Sequence, residues 1–471
     1  MQVLPASVAQ SRWDSTFVWI VAIIAALGGL LFGWDWVVIG GAKPFFERYF
    51  HIQHDAALSG WANSCALIGC LFGALAAGTL SDRYGRKPLL AIAAALFAIT
   101  SVGNALSGSF DIFVAWRISG GVAIGLASSL SPLYISEMSP AHLRGRLVSI
   151  NQLTIVIGIL AAQIVDWYLV RNLPVGASDT FIAQSWYGQN GWRWMFALTA
   201  LPALMFLVGV SRLPESPRWL LTRGRIDEAR RTLERVAGND YARAEIAAIS
   251  ATLREDSPSL GTLATLRDRR LRRTLALGVA LAVLQQWCGI NVIFNYAEEI
   301  FRAAGYDISR VLPNIMWTGS VTLAFTLIAL GVVDRVGRRP LMLLGTFGLA
   351  GIYVLIGACY HAHVTGIVVL SLVLAALACY AMSLAPLTWV IISEIFPNRA
   401  RGAAMSIAVM SLWCACFILT YTFPALDASL GPAGTFWLYA AVCLAGGAFV
   451  WRELPEMKGR SLEEIESTFA G

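Results

Sequence analysis

Two ionisable side chains sit in stretches where water is scarce. Asp35 lies in the apolar run GGLLFGWDWVVIG and Arg117 in DIFVAWRISGG. Each is a few residues from the end of its run, roughly 8 Å below the edge at about 1.5 Å per residue, so the two can pair. An unpaired charge in hydrocarbon costs at least ~2.5 to 3.5 kcal/mol, which is why such ions pair and often mark a pathway. A static structural ion pair is the plainer alternative. A second group consists of carboxamides: Gln152 and Gln163 in one run, and Gln285, Gln286, Asn291 and Asn295 in another. Each both donates and accepts, the chemistry that a hydroxyl-rich ligand requires. Each also has a reading as interhelical glue. Gln285 and Gln286 point about 100° apart on a helix, so both reach one cavity only across a broad polar face, and Asn291 lies near that face.

The elements that position these groups are membrane helices. Of 471 residues, 57% are hydrophobic and 14% charged, with a mean hydropathy of +0.65, outside the balance of a soluble domain. Apolar stretches near the ~20 residues needed to cross a bilayer recur about twelve times. They fall at 17–40, 57–80, 88–106, 112–133, 147–170, 192–210, 275–300, 312–333, 340–360, 366–392, 402–423 and 435–451. The net charge of +6 is spread over short loops of one parity rather than gathered in a nucleic-acid patch. By the positive-inside rule that parity is cytoplasmic, which puts both termini inside a cell membrane. The first stretch is too long for a signal-peptide core and is expected to stay as the first helix. All eight cysteines fall within apolar segments, where they read as small hydrophobes. No Ser/His, metal-ligand or paired-acid constellation shares a depth, which argues against an enzyme, a cofactor or a metal.

Between the halves, 211–273 is charged, with apolar residues at Ile226, Ala229, Leu233 and Val236 and again at Ile246, Ile249 and Leu253. That spacing predicts amphipathic cytoplasmic helices. The layout is therefore a six-helix bundle over 1–210, the linker over 211–273, a second six-helix bundle over 274–452 and a cytoplasmic tail over 453–471. In the tail, Ser461 and Glu464 have the spacing of a capping box.

The two bundles are copies. SDRYGRKPLL (81–90) returns as VDRVGRRPLM (333–342), and SEMSPAHLRGR (136–146) returns as SEIFPNRARGA (393–403). Same-orientation repeats place a transported substrate between them near the bilayer midplane. The repeated charges, Asp82, Arg83, Arg86, Glu137 and Arg144 with Asp334, Arg335, Arg338, Glu394 and Arg401, read as cytoplasmic ion pairs that hold the bundles together in the outward-open state. Topogenesis alone explains the cations but not the repeated acids.

PESPRWL (214–220), QQWCGIN (285–291), LPEMKGRSLEEIE (454–466), the first-helix GGLLFGWD and the GR pairs after an acidic residue together resemble the sugar porter family of the major facilitator superfamily. The resemblance runs nearly end to end. It implies an all-α membrane protein of twelve helices in two pseudo-symmetric bundles, working by alternating access on a monosaccharide, hexose or pentose, as a monomer without nucleic acid. It also implies Gln152, Gln285, Gln286 and Asn291 as sugar ligands, with Asn295 where relatives usually carry an aromatic. Trp389 matches the family's tenth-helix tryptophan, which would stack on the sugar ring, with Phe32 and Trp413 as neighbours. Pro386 would break that helix. An acid at Asp35 accompanies proton-coupled members, so sugar:proton symport is expected, with a uniporter as the alternative and a transport-inactive sensor behind it. Thr322 and Leu412 stand where relatives have amides, which points to a ligand with fewer hydroxyls. Trp287 and Cys288, after the glutamine pair, are expected to narrow the site.

Overall fold

The computed structural model describes residues 14–140, 143–255, 269–396 and 401–456, and these contain no strand. α1 (Ser15–Tyr49) opens where the Asp14 carboxylate accepts the amide of Phe17 at 3.0 Å, a side-chain cap for an orphan donor. Sequence hydropathy ends this element near Gly40, but the helix continues through AKPFFERY because Lys43, Glu47 and Arg48 find ionic partners there. Asp35 therefore lies near the middle of α1, about 21 Å from its end at ~1.5 Å per residue, deeper than the sequence reading placed it.

α2 (Ala56–Tyr84), α3 (Arg86–Ala105), α4 (Phe110–Met138) and α5 (Arg144–Val170) follow. A short α6 (Asp179–Gln184) and a π turn over Tyr187–Gly191 lead into α7 (Trp192–Leu198) and α8 (Ala200–Arg212), which together make the sixth crossing. α1 packs on α5 and α2 on α4. The α1–α5 seam is tight because each helix offers a glycine to the other's backbone. A Cβ on Gly33 would strike the carbonyl of Ile155, and one on Gly158 would strike that of Leu30. Small residues allow such approach in membrane bundles, where packing replaces the hydrophobic effect as the driving force.

The linker forms α9 (Pro217–Thr222) and α10 (Ile226–Glu255). Ala229, Leu233 and Val236 are buried as their spacing predicts, whereas Ile226 is exposed. The helix kinks at Ala237 and Gly238, where φ is +83° at the glycine.

The seventh crossing is not the continuous helix the sequence suggests. It is α11 (Arg269–Trp287), α12 (Ile290–Asn295) and α13 (Ala297–Ala303), broken at Gly289 with φ +82° and at Tyr296. α14 (Ile308–Val336) and α15 (Arg338–His361) follow. The tenth crossing breaks at Ser383 into α16 (Ile367–Met382) and α17 (Leu384–Ile395), with Pro386 in the first turn of α17, as the sequence predicts. α18 (Arg401–Glu453) is two crossings joined at Gly431, where φ is +68° between Pro424 and Pro432. That completes twelve crossings among the described residues. The two bundles meet along α2 with α18 and α5 with α14. One end of the molecule carries the linker; the other is called the far end below. The tail with Ser461 and Glu464 lies outside the described residues.

Candidate functional site

At mid-depth of the first bundle, Arg117 Nη1 donates to Asp35 Oδ2 at 3.0 Å, and both side chains are less than a tenth exposed. The sequence-level pairing thus holds in space. The guanidinium also lies over the ring of Phe196, 5.5 Å from its centroid. A narrow crevice beside the pair is lined by Asp35, Arg117, Trp36, Asn63, Cys70 and Asn295. Asn295 comes from the second bundle, so the ion pair faces the seam. The amide oxygens of Asn63 and Asn295 and the Nε of Arg117 have no hydrogen-bond partner among the described residues.

The other carboxamides gather around the break in the seventh crossing. Gln286 Nε2 donates to Gln285 Oε1 at 2.8 Å, and Asn291 donates to Gln286 Oε1 across the αL turn at Gly289. All three are buried. The turn lets α11 and α12 present side chains five residues apart to one another. Asn295, one turn beyond Asn291, faces the ion pair instead of this cluster. Gln152 on α5 and Trp389 on α17 are half-buried. Phe32, Trp36 and Trp413 form a triad with centroids 5.8 to 6.1 Å apart, joining α1 to α18 across the seam.

Gln163 behaves as interhelical glue: its Nε2 donates to Thr318 Oγ1 of α14 at 3.1 Å. Thr322 returns its hydroxyl to the Thr318 carbonyl at 2.7 Å. Trp287 does not narrow the site. Its indole is more than a third exposed and donates to the Ala415 carbonyl of α18 at 3.0 Å, tying α11 to α18. Cys288 is buried, with its thiol on the Gln285 carbonyl.

The repeated charged motifs have a local structural logic. In the first copy, Arg86 forms a fork with Glu137, Nε to Oε2 at 3.1 Å and Nη2 to Oε1 at 3.2 Å, and reaches Asp82 at 3.2 Å. Ser216 donates to the same Glu137, and Arg144 donates to the Ser136 carbonyl. These contacts lie within the first bundle and its linker; in this conformation they do not bridge the bundles. Gly85, with φ +102°, lets the Glu215 carboxylate approach the start of α3, where it accepts the amides of Arg86 and Lys87. Burial pushes the Glu215 carboxyl above the usual range. Gly337, with φ +107°, repeats the device for Glu456 and the amide of Arg338. The sequence reading quoted both PE pairs but missed this role, and their equal position after each sixth crossing was the available signal. Arg83 lies over the Tyr84 ring. Arg335 is exposed. The side chains of Asp334, Glu394 and Arg401 lie outside the described residues.

Glu137→Ala is expected to lower thermal stability in detergent by up to about 3 kcal/mol, because it removes the buried partner of a nearly buried guanidinium and leaves it the exposed Asp82 alone as counter-ion. Arg86→Lys should not preserve that stability, since a point charge cannot reproduce the fork. Wild-type melting of either variant would show the fork to be dispensable.

The far end carries a network absent from the sequence reading. Lys43 of α1 pairs with Glu47 at 3.1 Å and with Glu299 of α13, and Arg48 reaches Glu298 of α13 at 3.5 Å. Arg48 also binds Asp179 at 2.9 Å and holds that carboxyl below its usual range, so this contact persists into mild acid and is lost only as pH falls through the lowered value. Gly176 donates to Asp307 across the same seam. The far end is thus closed by ions contributed from both bundles.

A sugar (and other) transporter family model matches residues 21–469. The chain belongs to that family. It is 36% identical to the D-xylose-proton symporter of Escherichia coli, covering 97% of this chain and 96% of the symporter. It is 38% identical to the arabinose-proton symporter of Bacillus subtilis over 96% of this chain and 94% of that protein. Among solved structures, the E. coli xylose transporter in a partially occluded inward-open conformation superposes with a TM-score of 0.83 at 35% identity, over 95% of this chain and all of that one. The protein is a multi-pass membrane transporter of the major facilitator fold.

Proposed function

We propose that this transporter carries a monosaccharide together with a proton, by alternating access between the bundles 1–210 and 274–452, with 211–273 and 453–471 on the cytoplasmic side. The observation that carries the reading is the buried Asp35–Arg117 pair, which shares a crevice with Asn295 of the opposite bundle. A carboxylate that swaps its guanidinium for a proton at the seam can change how the bundles fit together. Gln152, Gln285, Gln286 and Asn291 would hold the hydroxyls and Trp389 the ring face, with Asn295 and Phe32 beside them. The concentration of cations in loops of the linker parity supports that side as cytoplasmic. The far-end latch is then the external gate, and Asp82, Arg83, Arg86, Glu137 and Arg144, with Asp334, Arg335, Arg338, Glu394 and Arg401, would meet across the internal seam when the outer side opens. The xylose and arabinose in the names of these two relatives favour a pentose as cargo, with a hexose the alternative. Thr322, whose hydroxyl is turned back on its own helix, removes one partner and favours a ligand with fewer hydroxyls.

Counterflow of radiolabelled pentoses and hexoses in proteoliposomes tests the reading; exchange of none of them would overturn it. The gate has its own test. Lys43→Met leaves Glu47 and Glu299 without their shared cation and should shift the resting equilibrium toward an opened far end by about tenfold or more. Labelling of a reporter cysteine in the outer cavity by an impermeant thiol reagent measures it, and wild-type labelling would remove the latch from the gate.

A further inference from the structure

The first bundle holds a carboxyl that nothing above uses. Asp166 lies in the last turn and a half of α5, 1% exposed, and neither carboxyl oxygen has a hydrogen-bond partner among the described residues. It packs against Gly41 of α1, where a Cβ would collide with it. That contact places it toward the far end from Asp35 and below the latch at Lys43. The elements packed on α5 are α1, α4, α7 with its π turn, and α14. Among their described charges, Asp111 of α4 and Arg310 and Arg335 of α14 are exposed, and Glu137 of α4 is held by Arg86. Asp35 of α1 is held by Arg117 of α4, Lys43 by Glu47 and Glu299, and Arg48 by Asp179 and Glu298. Arg193 of α7 donates to the carbonyls of Ala105 and Gln189. α14 meets α5 with the uncharged Thr318 and Gly319. Arg171, just past α5, stacks on Tyr168.

An ionised carboxylate buried without a partner is far costlier than the neutral acid, so the group takes up a proton. We propose that Asp166 is a second proton-binding site, filled from far-side water as the far end closes. This rests on the alternating-access reading above. With the far end open, water reaches the carboxylate and it stays ionised; on closure a hydronium ion gives its proton to the carboxylate and leaves as water. Closure thus consumes one proton at this residue. Falling pH favours the closed far end, and the closed-to-open ratio changes by up to about tenfold per pH unit on this account.

The test uses the full-length protein in proteoliposomes without sugar, with spin labels introduced as unnatural amino acids at the exposed far-end positions Leu106 and Val364. Distance distributions between the labels give the closed fraction against pH. In an Asp35→Asn background the closed fraction should rise as pH falls, and adding Asp166→Asn should remove up to about one decade per pH unit of that slope. Every other titratable group is common to the two backgrounds, so the difference belongs to Asp166. Infrared difference spectra at neutral pH should lose a protonated-carboxyl band in Asp166→Asn. Equal slopes in the two backgrounds or an unchanged band would each overturn the proposal. Failure of sugar counterflow in the wild type would sink the transport reading instead, because the pH slope is read without sugar.

Discussion

Asp35→Asn is expected to abolish uphill sugar accumulation driven by an inward proton gradient while sparing counterflow. Asparagine mimics the protonated acid: it is neutral, keeps one carbonyl acceptor and cannot release a proton. In the wild type the carboxylate is held 3.0 Å from Arg117, and both are buried. Protonation weakens that attraction and frees Arg117 for the changed seam; the variant is fixed on that side of the equilibrium. It also leaves Arg117, which lies over the Phe196 ring, without its counter-ion. Breaking a buried pair by removing one partner costs about 3 to 5 kcal/mol, so reduced expression should accompany the coupling defect. A pH electrode in a weakly buffered suspension should record alkalinisation when sugar is added to cells with the wild-type protein and none with the variant. Accumulation by Asp35→Asn against a gradient would move the proton carrier to another residue, and no sugar-linked proton movement in the wild type would leave facilitated diffusion as the mechanism.

Gln286→Ala and Trp389→Ala should each weaken sugar binding by about tenfold to a hundredfold without unfolding the protein. Gln286 is the hub of its cluster, donating to Gln285 and accepting from Asn291. Truncation removes one proposed ligand for the sugar and leaves Asn291 without its acceptor, and each lost or unsatisfied buried hydrogen bond is worth about 1 to 3 kcal/mol. Trp389 follows the Ser383 break and is half-buried, so its truncation removes a stacking face rather than a core plug. Calorimetric titration of the sugar that counterflow identifies measures both effects. Unchanged affinity in both variants would move the site elsewhere.

Composition, the spacing of apolar runs and the doubled motifs were enough to yield the membrane class, the twelve crossings, the duplication and the Asp35–Arg117 pairing. These properties are local or periodic: a run long enough to span hydrocarbon must be a helix, and two opposite charges at similar depth there must find each other. The break near Pro386 was legible for the same reason, since a ring without an amide hydrogen acts on its own helix. The continuation of α1 to Tyr49 was not, because the pairing that holds Lys43, Glu47 and Arg48 in a helix comes partly from α13, more than 240 residues away in sequence. Tertiary structure alone turned Trp287 out of the site, set Asn295 beside the ion pair instead of the glutamines, and left Asp166 buried and without a hydrogen-bond partner among the described residues. Which face of a helix meets a cavity depends on the rotation that packing imposes, and the αL turn at Gly289 resets that rotation midway through the seventh crossing. The sequence determines which residues can do the chemistry, whereas the packing of two bundles decides which of them share a cavity.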